Sequence, residues 1–170
     1  MLLRESGFDM DIVRIDVDES FDPALQAQEI PLYLAEKKNK HYTGALADNE
    51  LLVTADTIVW LGDKVLNKPE SMEEAKAMLQ QISGRMHTVY TGVCMRSNSH
   101  TKSFYEESRV HFNPLSDAMI DYYLEHYRPL DKAGAYGIQE FIGYVGIRRI
   151  EGCYYNVMGF PVARFITELM

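Results

Sequence analysis

Cysteine is scarce in this sequence, and long apolar runs are absent. The 170 residues include 2 cysteines, Cys94 and Cys153, which lie far apart and in no Cys-x-x-Cys or Cys/His spacing typical of a metal site. We therefore expect two free, buried thiols. No apolar run approaches the roughly 20 residues that span a bilayer, and the first residues do not resemble a secretory leader. The sequence thus predicts a cytoplasmic protein without a membrane partner.

Positive charge is also in the minority. The sequence has 17 Lys and Arg residues against 25 Asp and Glu residues, which gives a formal net charge of −8. Such a field repels nucleic acids and anionic membranes, and no basic stripe offsets it, so a nucleic-acid-binding module is disfavoured. An anionic small ligand is compatible with this charge if local basic groups or a cation hold it.

The pattern of elements predicts one α/β domain over residues 1–170. A chain of this length can form a core without disulfides or a structural metal, and no linker or repeat divides it. Helix signals alternate with β-prone segments, which indicates a mixed or largely antiparallel sheet flanked by helices. The predicted helices cover 30–41, 75–82 after a Ser71 cap, 116–127 and the residues from Pro161. The predicted strands cover 8–17, 51–60, 88–96, 103–112, 143–150 and 153–157.

Asp56 is the residue that most needs an explanation. It lies in the middle of an apolar, β-prone run, where burying an uncompensated carboxylate is costly. The carboxylate is therefore either catalytic, metal-bound or paired with a lysine or with backbone N–H groups, and the residues alone leave these alternatives open. Thr57 faces the other side of the strand and is by default only a good β-former.

A cluster of acidic residues offers further candidates for a functional site. Four acids crowd the end of the first predicted strand: Asp16, Asp18, Glu19 and Asp22. Oxygen ligands of this kind suit a hard divalent cation such as Mg²⁺, although a solvated acidic loop is the commoner explanation of such a cluster.

The lysines are individually weak signals. Lys37, Lys38 and Lys40 end a predicted helix, where cations also complement the helix dipole. Lys68, in a short loop before a proline, has less structural reason to be there and could address a phosphate. The glycine-rich segment 134–139 would let backbone N–H groups approach a ligand, or it packs a tight turn. It matches neither the P-loop nor the dinucleotide-binding fingerprint.

Together these motifs are more specific than each one alone. In their order and spacing they closely resemble the Maf family of nucleoside triphosphate pyrophosphatases, over essentially the whole chain. The segments that carry the resemblance are Val17-Asp18-Glu19-Ser20, Leu34-Ala35 with Lys38, Ala55-Asp56-Thr57-Ile58-Val59, Asn67-Lys68-Pro69, Leu79 with Ser83-Gly84-Arg85, Thr91-Gly92-Val93, Asp131-Lys132-Ala133-Gly134-Ala135-Tyr136-Gly137-Ile138-Gln139 and Asn156-Val157-Met158-Gly159-Phe160-Pro161.

The resemblance implies an activity and a fold. Maf proteins hydrolyse a nucleoside triphosphate between the α- and β-phosphates with a divalent cation, Mg²⁺ or Mn²⁺, in the cytoplasm. They share with the inosine-triphosphate pyrophosphatases an elongated mixed β-sheet flanked by helices. The family's general base falls on Asp56, and its base-preference residues fall on Thr57 and Gln139, a pair that resembles the dTTP/UTP-preferring branch.

The remaining site residues follow from the same resemblance. Glu19 matches the family's second acidic residue, so Glu19 and Asp56 are the implied metal ligands. Lys38 and Lys68 match its lysines at the phosphates. A glutamine carries both a donor and an acceptor, which suits the imide edge of thymine or uracil. We expect a nucleoside triphosphate as the ligand, with a homodimer as one candidate assembly.

One family motif has no counterpart here. Maf proteins begin with a short strand and a Ser-x-Ser-Pro-Arg-Arg loop whose arginines contact the triphosphate, whereas Met1–Gly7 resembles the end of the helix that follows, with its glycine stop. We expect that roughly 15 residues, a strand plus a loop, are missing and that turnover is weakened without those arginines. The alternative function is a catalytically silent Maf-like protein that binds a nucleotide or a partner in cell division.

Overall fold

The computed structural model describes residues 2–170, so the part of the predicted first helix that falls on Met1 lies outside the described residues. The helices are α1 (Leu2–Glu5), α2 (Glu29–His41), α3 (Met72–Ile82), α4 (Asp117–Tyr127), α5 (Phe141–Gly146), α6 (Tyr154–Val157) and α7 (Val162–Leu169), with a short 3₁₀ turn at Ala133–Ala135. The strands are β1 (Leu52–Leu61), β2 (Lys64–Leu66), β3 (Met86–Arg96), β4 (Thr101–Phe112) and β5 (Ile147–Gly152).

These strands form one five-stranded sheet in the order β2-β1-β3-β4-β5. Each described pair is antiparallel, and the predicted hairpin around residues 97–100 joins β3 to β4 with Arg96 opposite Thr101. Helices pack on both faces of the sheet, which confirms the predicted α/β class. None of the helices within residues 2–170 is long and apolar enough to cross a membrane.

Alternation along β1 divides its side chains between the two faces of the sheet. Ile58 packs with Ile30 and Leu34 of α2 on one face. Its neighbour Val59 belongs to the larger cluster on the other face, which also contains Leu79 of α3 and buried residues of α4. Because successive strand residues point to opposite faces, the same strand presents Asp56 towards α2 and Thr57 towards the opposite side.

A glycine allows α2 to approach the sheet closely. A Cβ atom on Gly92 of β3 would lie 2.3 Å from the carbonyl oxygen of Pro31, so no larger residue fits without moving the helix. Gly92 is also the residue directly opposite Asp56 in the β1–β3 pair. The close crossing therefore brings the α2 helix over the strand position that carries the carboxylate.

The helices with clear end signals in the sequence are confirmed. The Ser71 hydroxyl accepts the backbone N–H of Glu74 at the start of α3, and the Ser116 hydroxyl accepts that of Met119 at the start of α4. Both are N-cap hydrogen bonds, which satisfy donors that the first helical turn leaves without a partner. At the start of the chain, α1 is followed by Gly7 with φ +88°, in agreement with the predicted glycine stop.

The predicted strand over residues 8–17 is wrong. This segment has no regular structure, and Ile12 and Val13 are exposed. A strand needs a neighbour to satisfy its backbone hydrogen bonds, and within residues 2–170 none lies beside this segment. Phe8 is anchored by an edge-to-face contact with Phe165, and the Met10 carbonyl accepts a hydrogen bond from Arg4 at 3.2 Å.

The two short strands predicted near the C-terminus are also wrong in part. Residues 141–146 form α5 and only 147–152 form a strand, while residues 154–157 form the single turn α6. The apolar content of these segments is equally compatible with short buried helical turns, and tertiary packing decides between them. Both cysteines are free as predicted, although Cys153 is only half-buried and Cys94 alone is fully buried.

One buried histidine lies under the glycine-rich segment. His87 of β3 is 1% exposed, and its Nε2 atom lies 2.7 Å from the hydroxyl of Tyr136. Burial, with a smaller effect of His111, lowers the pKa of His87 to about 4. The imidazole is therefore neutral at pH 7 and is part of the core rather than of an acid–base site.

This burial predicts a specific acid sensitivity. The folded-state pKa of His87 lies below its unfolded value, so its contribution to stability is complete above about pH 6.5 and is lost as the pH falls towards 4. The loss is about 3 kcal/mol at most. Denaturant unfolding between pH 7 and pH 4 should show a shallower decline for His87→Gln than for the unchanged protein. The exposed His100→Gln is the matched control, and parallel curves for all three proteins would contradict the assignment.

Candidate active site

A cavity of about 320 Å³ opens at the edge of β1. On the side of β1 away from β3, β2 pairs only with Val59–Leu61, so within residues 2–170 the backbone of residues 52–58 has no strand neighbour there. Asp56 and Thr57 both line the cavity although they point to opposite faces of the sheet. The cavity therefore continues across the strand edge from one face to the other.

Four charged side chains meet on the α2 side of this cavity. The Lys38 Nζ atom lies 2.6 Å from Asp56 Oδ1 and 2.8 Å from Glu19 Oε1. Lys68 Nζ lies 3.5 Å from the other oxygen of Glu19. The side chain of Asp56 is only 10% exposed and that of Lys38 is 18% exposed. Two carboxylates thus share one sheltered ammonium group, while Glu19 and Lys68 lie nearer to solvent.

The environment changes the proton affinities of these groups. Burial raises the pKa of Asp56 above its ordinary value, even though Lys38 opposes the shift. The hydrogen bond from Lys38 lowers the pKa of Glu19. Burial alone would lower the pKa of Lys38, but its two carboxylate partners together outweigh it and raise that pKa. Asp56 is therefore more basic than an exposed aspartate, Glu19 is less basic than an exposed glutamate, and Lys38 stays cationic.

The glycine-rich segment forms the opposite wall and holds the Lys68 loop. Gly134 and Ala135 both have left-handed backbone conformations, with φ +68° and +59°. A Cβ atom on Gly134 would lie 2.9 Å from Val59, so the turn packs directly on β1. The Gly134 N–H donates to the carbonyl of Asn67 at 3.2 Å. This contact fixes the residue beside Lys68 and brings the lysine to the cavity mouth.

The side chains of Tyr123 and Glu140 support the end of the glycine-rich segment, next to Gln139. The Tyr123 hydroxyl donates to Glu140 and accepts the backbone N–H of Gly137 at 3.0 Å. Lys132 Nζ lies 3.2 Å from Glu140 Oε1. Gln139 lies between these anchored residues, is exposed, and lines the cavity. Its side chain therefore projects from a backbone that is held at both ends.

Thr57 is tied to the far side of the sheet. Its hydroxyl lies 2.9 Å from that of Thr91 and 3.4 Å from the carbonyl oxygen of Gly159. Gly159 and Met158 belong to the turn that follows α6 and also line the cavity. Thr57 is thus half-buried, and its hydroxyl is hydrogen-bonded. Its role in the structure therefore goes beyond a preference for β-strands.

The structure brings together most of the residues that the sequence singled out. Asp56, Thr57, Lys38, Lys68 and Gln139 all line the one cavity, and Glu19 contacts both lysines. The arrangement combines a sheltered carboxylate, two ammonium groups and an amide in a space large enough for a nucleotide-sized ligand.

Two other residues of the acidic cluster are used in local turns. Asp18 accepts the backbone N–H of Ser20, and Asp22 accepts that of Ala24, so both stabilise local turns. Lys37 donates to the Ser20 carbonyl at 2.9 Å, which attaches the acidic loop to α2. Only Glu19 of this cluster enters the site.

Sequence reasoning assigned no role to Lys132, Tyr123 or Thr91. Lys132 lines the cavity beside Asp131 and forms an ion pair with it at 2.8 Å. Its position within the glycine-rich motif could have identified it as a residue of the site. Tyr123 and Thr91 act through other side chains, and nothing in their local sequence marks that role.

The donor set fits a divalent cation only in company with a ligand. Within residues 2–170 there is no group of three or more His, Cys, Asp or Glu side chains that could hold a metal. Glu19 and Asp56 do converge on the same point, since both reach Lys38 Nζ. Mg²⁺ is commonly bound by one or two carboxylates together with phosphate oxygens and water, and this pair fits that pattern.

Comparison with known proteins shows which family and which proteins this chain is similar to. The family model described as Maf-like protein matches residues 1–170. A dTTP/UTP pyrophosphatase of Parabacteroides distasonis is 50% identical over 167 residues, which cover 96% of this chain and 86% of that protein. A dTTP/UTP pyrophosphatase of Bacteroides thetaiotaomicron is 48% identical over 167 residues, with the same coverage of 96% and 86%. One from Porphyromonas gingivalis is 50% identical over 156 residues, 91% of this chain and 78% of that protein.

The shared ammonium group predicts strong coupling between Lys38 and Asp56. Lys38→Met leaves a buried carboxylate without its partner and should lower the free energy of unfolding by about 2 kcal/mol. In an Asp56→Asn background the same substitution should cost much less, because no buried charge is left behind. Urea unfolding at pH 7 with a chelator measures all four proteins.

Lys40→Met is the matched control for this cycle. Lys40 lies on the same helix but its side chain is 79% exposed, so its replacement should leave the free energy of unfolding nearly unchanged. Equal costs of Lys38→Met in both backgrounds would show that the ion pair does not hold the site together.

Proposed function

This chain belongs to the Maf-like protein family, and on that premise we propose that it is a nucleoside triphosphate pyrophosphatase. Its substrates are dTTP and UTP, which it cleaves between the α- and β-phosphates to give the monophosphate and pyrophosphate. Relatives about 50% identical to the chain are dTTP/UTP pyrophosphatases, which supports this substrate class. The observation that carries the proposal is the single cavity that joins Asp56, Lys38 and Lys68 to Gln139.

Asp56 is the proposed general base. A water molecule beside its carboxylate would attack the α-phosphorus, transferring a proton to Asp56 as the bond to the β-phosphate oxygen breaks and pyrophosphate leaves. The raised pKa of Asp56 makes this carboxylate a stronger base than an exposed aspartate. Lys38, at 2.6 Å, orients the carboxylate and keeps it ionised until the proton arrives.

The lysines are the proposed phosphate ligands. Lys38 and Lys68 line the cavity on the same side as Asp56, and each carries a positive charge that suits phosphate oxygens. Lys132 lies on the opposite wall and adds a third ammonium group. These local charges let a protein with a net charge of −8 bind an anionic substrate.

A divalent cation, Mg²⁺ or Mn²⁺, is the proposed cofactor. Glu19 and Asp56 would hold it, together with phosphate oxygens of the substrate. When bound, it would neutralise negative charge on the phosphates. The chain's own contribution is Lys38, which holds the two carboxylates side by side when no divalent cation is bound.

Thr57 and Gln139 are the proposed base-reading residues. Both line the cavity, Thr57 on β1 and Gln139 on the glycine-rich segment, which the Tyr123 and Glu140 side chains support. The Gln139 amide has a donor and an acceptor to offer to the O4 and N3–H groups of thymine or uracil.

We further propose that residues 1–170 act as a single domain in the cytoplasm, and that two copies form a homodimer. The continuous sheet with helices on both faces supports the single domain. The two free cysteines support a reducing compartment.

Turnover tests the function directly. The chain, and a version extended at its N-terminus by a Ser-x-Ser-Pro-Arg-Arg segment, are assayed for pyrophosphate release from dTTP, UTP and GTP with Mg²⁺ or Mn²⁺. We expect dTTP and UTP to be preferred, and Asp56→Asn to lower kcat by at least about 100-fold because the base is lost. Asp63→Asn, on the β1–β2 turn, is the control. If neither version releases pyrophosphate from any triphosphate, the result would instead favour a catalytically silent binding protein.

Metal dependence tests the assigned carboxylates. Chelation should abolish turnover, and Glu19→Gln should raise the Mg²⁺ concentration that gives half the maximal rate by about tenfold. The adjacent Asp18→Asn should leave this concentration unchanged, because the Asp18 carboxylate turns away to accept the Ser20 N–H. Titration of the rate with Mg²⁺ for the three proteins makes the comparison. Identical curves for all three would remove Glu19 from the metal site.

A further inference from the structure

Gln139 is carried by a tight turn over residues 137–140. The backbone closes this turn, because the Glu140 N–H donates to the Gly137 carbonyl at 3.1 Å. The Gln139 carbonyl accepts a hydrogen bond from the Tyr144 hydroxyl. The Gln139 side chain is exposed and lines the cavity. The position of its amide therefore depends on the position of the turn.

One buried hydroxyl connects the first and last residues of this turn. The Tyr123 hydroxyl accepts the Gly137 N–H at 3.0 Å and donates to the Glu140 carboxylate. An N–H group can only donate and a carboxylate can only accept, so the direction of both bonds is determined. Burial, together with the hydrogen bond to Glu140, raises the pKa of Tyr123, so the hydroxyl keeps the proton that it donates. Tyr123 thus holds the turn at both ends.

The tyrosine is itself held firmly by the core. Tyr123 lies on α4, is 0% exposed, and belongs to the main hydrophobic cluster with its helix neighbours Ile120 and Leu124. Its ring also stacks on that of Tyr127, with the ring centroids 5.1 Å apart. Side chains in such a core are closely packed and have little room to move. The hydroxyl therefore fixes the turn relative to the core of the protein.

Loss of this hydroxyl would leave two groups of the turn without a partner. The Gly137 N–H is buried, and the Glu140 carboxylate would keep only Lys132, at 3.2 Å. An unmatched buried N–H is costly, so the turn should shift until the group finds another partner. Gln139 lies between the two released residues and would move with them. A displacement of about 1 Å is enough to weaken an oriented contact strongly.

We propose that Tyr123 is a positioning residue for base recognition, and that its hydroxyl holds the turn so that the Gln139 amide reaches the imide edge of thymine or uracil. This inference rests on the function proposed above, in which Gln139 reads the base. Tyr123 is not among the residues that line the cavity, and it acts through Gly137 and Glu140.

Phosphate binding should not depend on this hydroxyl. Lys38 is held by its two carboxylates on the α2 side of the cavity. The backbone beside Lys68 is held by the Gly134 N–H. Lys132 pairs with Asp131 at 2.8 Å, whether or not Glu140 moves. Removal of the Tyr123 hydroxyl should therefore weaken recognition of the base and leave recognition of the phosphates intact.

Tyr123→Phe keeps the ring and removes the hydroxyl. Binding is measured by calorimetry with the non-hydrolysable α,β-imido analogues of dTTP and of 1,2-dideoxyribose 5′-triphosphate, an abasic ligand that has the sugar and phosphates but no base. The Kd of the dTTP analogue should rise by about tenfold, because Gln139 is no longer held in place. The Kd of the abasic analogue should stay unchanged.

Three further variants exclude a merely structural effect. Tyr127→Phe removes a hydroxyl from the ring that stacks on Tyr123, and both Kd values should stay unchanged. In a Gln139→Ala background, Tyr123→Phe should cause no further loss, because the amide through which it acts is gone. Glu140→Ala breaks the same connection from the other end and supplies the measurement if Tyr123→Phe does not fold. It should weaken the dTTP analogue relative to the abasic analogue, which corrects for any change at Lys132.

Three results would overturn the role of Tyr123 while the pyrophosphatase function stands. They are an unchanged Kd of the dTTP analogue in Tyr123→Phe, an equal weakening of both analogues, and a further loss in the Gln139→Ala background. If the protein with its own residues binds neither analogue and releases no pyrophosphate from dTTP, the proposed function fails and this inference fails with it.

Discussion

The site depends on one ammonium group that two carboxylates share. Lys38 lies within 2.8 Å of both Asp56 and Glu19, although burial makes the ionised form of Asp56 costly. Without this cation the carboxylates would repel each other and Asp56 would be protonated or exposed. In the function proposed above, a substrate that brings its own cation would take over part of this role.

Close backbone approaches bring these charges together. Gly92 lets α2 cross the sheet opposite Asp56, and Gly134 lets the glycine-rich turn rest on Val59. Each approach is one that a Cβ atom would prevent. The Asp56 side of the cavity thus depends on the first contact and the Gln139 side on the second, while β1 lies between them and contributes a residue to each.

The sequence predicted the fold best where the signals are local. The Ser71 and Ser116 caps predicted α3 and α4, and β-prone runs, with a polar turn between the second and third of them, predicted the long strands β1, β3 and β4. The strand predicted over residues 8–17 was wrong, because alternation reports only that one face could be buried. Whether a neighbouring strand supplies hydrogen bonds is a tertiary property that no window of residues contains.

By itself, the sequence determined which groups could act: a carboxylate in an apolar strand at Asp56, lysines at helix and loop ends, and a glycine-rich turn before Gln139. Only the tertiary structure decided that Lys38 serves Glu19 and Asp56 together, since these residues lie in a loop, a helix and a strand. It also decided the partners of the Thr57 hydroxyl, because they come from residues 34 and 102 positions away. The local sequence identifies the hydroxyl, but only the folded core brings its hydrogen-bond partners into reach.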